Sequence, residues 1–236
     1  NTIQSPFIKA FLNKLRMNRN SPRVVVWGPY KYGGLNIMNL EVEQFSSHLM
    51  LLITNIRKGN DTGRSMLLAM GMYQITLGCE KPFWKLNPEY YPTQSPEHLT
   101  LQYLWNKLRK IDATMHLPTM WTPSTKYSGD SALIDDFVNT ARDRKGTATH
   151  VRPIQIEMAN ACRLYLRVTW LSEILSEDGE NIEPWAFFGR RRNPNNALTF
   201  PFQPEPPPHA WKEWRYLLTT TYMAAARVEM STETIP

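Results

Sequence analysis

The chain has 236 residues, 42% hydrophobic and 20% charged, with a formal net charge of +6. That balance excludes wholesale disorder, and the length can bury the core of one large or two small domains. No apolar run approaches the roughly 20 residues needed to span a bilayer, and the N-terminal stretch alternates charged and apolar residues in place of a signal peptide. Cys79 and Cys162 are the only cysteines. Two isolated thiols supply neither a disulfide framework nor zinc-ligand spacing, and point to an intracellular location, nuclear or cytoplasmic. The sequence opens on Asn1 without an initiating Met, which reads as a piece of a larger polypeptide.

Ser5-Pro6 starts a helix whose apolar face is Phe7, Ile8, Phe11, Leu12 and Leu15. Arg23–Trp27 is a β-branched run between turn residues and reads as a strand. Gly33-Gly34 can supply positive φ, so Leu35–Ile37 is expected to return as a second strand of a small hairpin. Asn39 caps a long helix that ends at Gly59, and Asp61 or Thr62 caps another that ends at Gly78. Pro82–Gln94 reads as a packed aromatic loop, and Ser95-Pro96-Glu97 starts the next helix, which ends on Lys107, Arg109 and Lys110. Asp130 or Ser131 caps a helix through Arg142, Pro153 opens one through about Leu166, and a last helix begins near His209. The stretch after Pro184 is proline-laced and expected to be largely irregular. The fold class is therefore mostly α: a helical bundle with a small N-terminal β-hairpin and a proline-rich irregular C-terminal segment.

Charge is distributed unevenly along these elements. Lys9, Lys14, Arg16, Arg19, Arg23 and Lys31 fall in the first 40 residues, which contain no Asp or Glu, leaving 21 basic and 21 acidic residues in the remainder. A neutral body with one basic end suits a polyanionic partner. Within that end, Trp27-Gly28-Pro29 is followed by Lys31, Gly33-Gly34, Leu35, Ile37, Asn39 and Leu40. This resembles the W-x-x-P-x-x-x-G-G-L-G-I-x-D/N-L element that follows the polymerase palm in reverse transcriptases of non-LTR retrotransposons. The spacing here is one residue tighter before the proline, and Asn36 stands where that element has its third glycine. Asn160-x-Cys162-Arg163-Leu164-Tyr165-Leu166 and Trp211-x-x-Trp214-Arg215 are similar to the distal part of some such elements. The resemblance implies a helical thumb-like region over 1–112 with a basic face, and a helical C-terminal region over 113–236 with a proline-rich linker at 193–208. It also implies that the palm lies upstream, in a larger RNA-directed DNA polymerase.

Candidates for chemistry are few. Asp135-Asp136 has the look of a palm carboxylate pair, but its flanks carry a helix cap and helical apolar spacing rather than strand alternation, so it reads as a helical pair. The five histidines have no repeated ligand spacing, Gly28–Gly34 lacks the phosphate-loop pattern, and no serine sits in a Gly-x-Ser-x-Gly setting. No catalytic constellation, cofactor or metal is expected.

Phosphate is contacted by Lys and Arg, and unpaired bases stack on aromatic faces. Arg16, Arg19, Arg23 and Lys31, interleaved with Trp27, Tyr30 and Tyr32, fit that requirement. Two further basic clusters are Arg144-Lys145, flanked by Arg142 and Arg152, and Arg190-Arg191-Arg192 beside Phe187-Phe188. An acidic block at Glu173, Glu177, Asp178, Glu180 and Glu183 offers them competing partners, while the Trp211/Trp214 helix reads as core or partner contact. The sequence thus reads as a non-catalytic nucleic-acid-binding portion of a retroelement polyprotein, positioning template–primer or element RNA. Its partners would be RNA or an RNA/DNA duplex and the rest of a larger polypeptide, with no membrane. The other reading is a helical structural or protein-interaction module that binds no nucleic acid.

Overall fold

A computed structural model describes residues 4–91, 99–125, 127–143, 152–190, 192–193 and 200–222. These form nine α-helices with several 3-10 turns, and the only β pairing among them is two isolated bridges. The chain is mostly helical, and no described helix is long and apolar enough to cross a membrane. Two compact units divide it, Asn1–Gly63 and Arg64–Pro236.

The first unit contains α1 (Gln4–Lys14), α2 (Arg23–Trp27) and α3 (Leu40–Lys58). Ile8, Leu12 and Val26 form its buried core, with Met17, Trp27, Leu35 and Ile37 packed against them. Gln4 ties α1 to the start of α3: its Nε2 donates to the Met38 carbonyl at 2.6 Å and its Oε1 accepts from Leu40 N–H at 3.3 Å. Asn39 caps α3 by accepting from Glu41 N–H, and Gly59 closes it at φ 62°. Asn60 Oδ1 accepts from Gly63 N–H and so caps the helix beginning at Asp61, one residue earlier than expected.

The expected β-hairpin is absent. Arg23–Trp27 is a single helical turn, with Val25 and Val26 N–H both directed at the Pro22 carbonyl. Leu35–Ile37 does return alongside it, as a cap rather than a strand. Leu35, Ile37 and Asn36 N–H groups donate to the carbonyls of Val25, Val26 and Gly28 at 2.8–3.0 Å. A five-residue helix leaves its terminal carbonyls unpaired. Satisfying those acceptors with one-way bonds outweighs the strand preference of three valines, which depends on cross-strand packing.

The second unit holds most of α4 (Asp61–Leu77), then α5 (Leu99–Lys110), α6 (Leu133–Asp143), α7 (Pro153–Leu166), α8 (Pro184–Phe188) and α9 (Pro208–Tyr222). Pro184–Phe188, expected to be irregular, forms a short helix because Pro184 opens it and Gly189, at φ 70°, ends it. Residues 200–207 are irregular, as expected, while 194–199 lie outside the described residues. Around α4, Tyr73, Phe83 and Trp105 meet edge-on, with ring centroids 4.9–6.2 Å apart, and Trp105 Nε1 donates to the Leu86 carbonyl. At the other end α9 packs on α6, α7 and α8. There Trp214 is fully buried, its Nε1 donating to the Ala186 carbonyl at 3.0 Å. The tryptophans of α9 are core, with Trp211 9% exposed.

Candidate nucleic-acid interface

In the first unit, Arg16, Arg19, Tyr30, Lys31 and Tyr32 are exposed. Tyr30–Tyr32 form a 3-10 turn, Gly33 ends it at φ 77°, and Lys31 Nζ lies 4.7 Å from the Tyr32 ring centroid. The two glycines that follow act differently. Gly33 has open space around its missing side chain, so only its backbone conformation demands glycine. A Cβ on Gly34 would stand 2.0 Å from the Gly28 carbonyl oxygen, so there it is close approach that forbids one. Asn36 is itself at φ 47°. Asn is among the residues that tolerate this left-handed region best, and a glycine would adopt it as readily.

Arg23 and Trp27 are half-buried, one helical turn apart on α2. Arg23 Nη1 and Trp27 Nε1 are buried, with no hydrogen-bond partner among the described residues. Trp27 packs on the Ile8/Leu12/Val26 core, so its ring is a wall of the unit rather than an open stacking face.

Of the basic clusters in the second unit, Arg144, Lys145 and Arg191 lie outside the described residues. Arg190 is exposed and its guanidinium stands 5.3 Å from the Phe188 ring centroid. The Arg192 guanidinium lies 4.2 Å from the Tyr165 ring, and its Nη2 donates to the Gln203 carbonyl. Tyr165 in turn meets Trp211 edge-on at 5.8 Å. Two guanidinium–ring pairs result, Arg190 with Phe188 of α8 and Arg192 with Tyr165 of α7. No sequence pattern singles out Tyr165 for this role; its partner Arg192 is brought to it by the Asn193 N–H bond to the Leu166 carbonyl.

Two carboxylates of the acidic block, Glu173 and Asp178, are spent on local structure. Glu173 Oε2 accepts from Thr169 and Trp170 N–H at 2.6 and 3.0 Å. Asp178 accepts from Ser176 Oγ and from Glu180 N–H, which hold its carboxyl below the usual range.

Asp135 and Asp136 are helical and their bonds run to different segments. Asp135 accepts from Glu80 N–H at 2.8 Å and Tyr91 O–H at 2.7 Å, while Asp136 accepts from Ser131 and Tyr222 hydroxyls. Burial raises the Asp135 pKa, against the lowering effect of its two donors. Among the described residues no group of His, Cys, Asp or Glu is arranged to hold a metal ion.

The Asn160–Arg163 stretch is directed inward. Arg163 is fully buried, and burial pulls its pKa down to about 10. Its guanidinium donates to Asn160 Oδ1 and to the carbonyls of Val168, Ile75 and Thr76 at 2.6–3.0 Å. The last two carbonyls lie in the final turn of α4, where the helix dipole favours a cation. Gln74 completes the joint by donating to the Cys79 and Lys81 carbonyls and accepting from Phe83 N–H. Burial raises the pKa of the Cys79 thiol beside it, so it stays protonated at neutral pH.

No protein-family model, curated protein or solved structure matches the chain.

Proposed function

We propose that the chain is a non-catalytic nucleic-acid-binding portion of a retroelement reverse transcriptase polyprotein, holding RNA or an RNA/DNA duplex for a palm elsewhere in that polypeptide. The observation that supports it most is the acid-free first 40 residues, whose exposed Arg16, Arg19 and Lys31 accompany the exposed rings of Tyr30 and Tyr32. Backbone phosphates take such cations, and rings presented beside them add sequence-tolerant stacking. Arg23 Nη1 and Trp27 Nε1, buried without a hydrogen-bond partner among the described residues, lie on α2, which leads through Gly28-Pro29 into that tyrosine turn.

The test is a salt titration of the whole chain against an RNA hairpin and an RNA/DNA duplex. Counterion release makes log affinity fall with log salt by about 0.7–0.9 for each phosphate contacted. A flat profile, or no binding at low salt, would overturn the reading.

A helical interaction module is the second reading, and α1 is its support. Phe7 and Phe11 are 72 and 48% exposed on the helix that buries Ile8 and Leu12, and Leu15, 47% exposed, follows four residues on, just past its end. Apolar side chains in such a row mark protein contact surfaces. Salt-insensitive capture of a protein partner, with no nucleic-acid affinity, would favour this module.

A further inference from the structure

The exposed apolar row on α1 continues beyond that helix at both ends. Gln4, one turn before Phe7, holds the Met38 carbonyl and the Leu40 N–H, which sets the entry to α3 beside the first turn of α1. Met38 and Leu40 are 59 and 54% exposed there. At the other end a helical bond from Leu15 N–H to the Phe11 carbonyl, 3.1 Å, carries the row past Lys14. A strip of exposed apolar side chains thus runs from the start of α3 along α1, all within the first unit. Contiguous apolar exposure of this kind marks a contact site.

The position of the strip limits what can cover it. On an α-helix Phe7 and Phe11 adjoin Ile8 and Leu12, the buried pair, while Ala10, Asn13 and Lys14 lie on the side away from that pair. A cover over the strip therefore lies alongside α1 and extends the core outward, as one helix packs beside another. A flat bilayer would meet the far side of α1 first, where Asn13 and Lys14 offer it no apolar face.

Charge limits it further. Lys14, three residues beyond Phe11, flanks the strip, and Arg16 and Arg19 follow it. All three are exposed, and none has an ion-pair partner among the described residues. Carboxylates enter only beyond Leu40, at Glu41 and Glu43 in the first turn of α3. The strip therefore has a cationic end whose charge is unmet, and complementary potentials select an acidic cover. The same face of a second copy would set cation against cation, which the same rule disfavours.

We propose that this strip docks an acidic amphipathic helix of a partner protein, its apolar face on Phe7 and Phe11 and its carboxylates toward Lys14 and Arg16. Such docking rests on the reading of α1 as a protein contact surface, and it holds whether or not the basic end also binds nucleic acid. The probe is a blocked peptide of about 18 residues, with Leu at helical i, i+3, i+4 and i+7 spacing and Glu and Ala elsewhere. Its counterpart carries Lys in place of Glu. Titrated against the whole chain and followed by amide NMR, the acidic peptide should saturate at least tenfold tighter than the basic one. Phe11→Ser, at a half-exposed position, should weaken it tenfold or more while the rest of the spectrum is retained. Lys14→Glu combined with Arg16→Glu should reverse the preference between the two peptides. Equal affinity for both, each weakened by Phe11→Ser, would leave α1 a contact surface and overturn the acidic partner. Binding that Phe7→Ser and Phe11→Ser leave unchanged, or no saturation by either peptide, overturns the proposal and that reading of α1 together. Phosphatidylserine vesicles that bind more tightly than the acidic peptide would name a lipid surface, and a dimer in sedimentation would name a second copy. Either result, if lost in Phe11→Ser, also overturns the proposal.

Discussion

Gly78 lies flush against the guanidinium of Arg163: a Cβ on Gly78 would stand 2.5 Å from Arg163 Cζ. Gly78 is also at φ 69°, so the residue that ends α4 needs glycine on two counts. The cation it makes room for is the one that closes the carbonyls of the same helix end. Gly78→Ala is therefore expected to cost more than the about 1–2 kcal/mol of a left-handed backbone alone, because the guanidinium must also move. Arg163→Met should cost about 3 kcal/mol or more, since it strips a donor from Asn160 and from three carbonyls in a dry interior. Denaturant midpoints of the two variants, with the slope checked for constancy, measure both; a loss under about 1 kcal/mol for Arg163→Met would refute this role.

Asp135 should make stability depend on pH with an unusual sign. Its folded pKa is raised above 3.8, chiefly by desolvation, so the folded state holds its proton more tightly than the unfolded chain does. Its favourable contribution is then fully present below pH 3.8 and is lost as pH rises through the folded value. Compared with Asp135→Asn, the parent chain should gain relative stability on acidification. Paired denaturation curves from neutral to acidic pH test this, and a parent chain that gains stability over the variant as pH rises would refute it.

The two loop glycines should separate by mechanism. Gly33→Ala is expected to cost about 1–2 kcal/mol, from conformation alone, and Gly33→Asn less, because Asn tolerates positive φ. Gly34→Ala should cost more than Gly33→Ala, since the backbone must open to relieve a 2.0 Å approach to the Gly28 oxygen. The reverse order in thermal or denaturant unfolding would mean that the loop relaxes there.

Surface charge should separate binding from folding. Arg16→Gln, Arg19→Gln and Lys31→Gln remove exposed cations and should leave stability within about 0.5 kcal/mol. Together they should flatten the salt dependence of RNA affinity by as much as about 0.7–0.9 for each phosphate these side chains no longer neutralise. An unchanged slope would remove these residues from the interface.

Local chemistry made much of this legible in the sequence, and long-range chemistry made the rest opaque. Asn39, Gly59, Pro153 and Gly78 mark helix ends through bonds and angles made within a few residues, and those ends fall as expected. Val24–Val26 misled because strand preference is a property of the partner edge, and here the partner supplies donors to a helix end. Arg163 was unreadable as a buried cation: its acceptors Ile75 and Thr76 lie 88 and 87 residues away, and they are backbone carbonyls that no side-chain pattern encodes. The Asp135–Asp136 pair was legible as helical from its flanks, but not its division of labour between Tyr91 and Tyr222.

The capping of α2 by Leu35, Asn36 and Ile37 has a kinetic consequence. These amide protons are held by the carbonyls of Val25 and Val26 in α2 and of Gly28 at its C-cap, and a helix this short does not persist alone. Residues 23–37 should therefore behave as one cooperative opening unit in hydrogen exchange, with the three amides sharing a single protection free energy. Any ligand that clasps the exposed tyrosine turn should raise that shared value, so the protection of Leu35, Asn36 and Ile37 would report occupancy of a surface these amides do not touch.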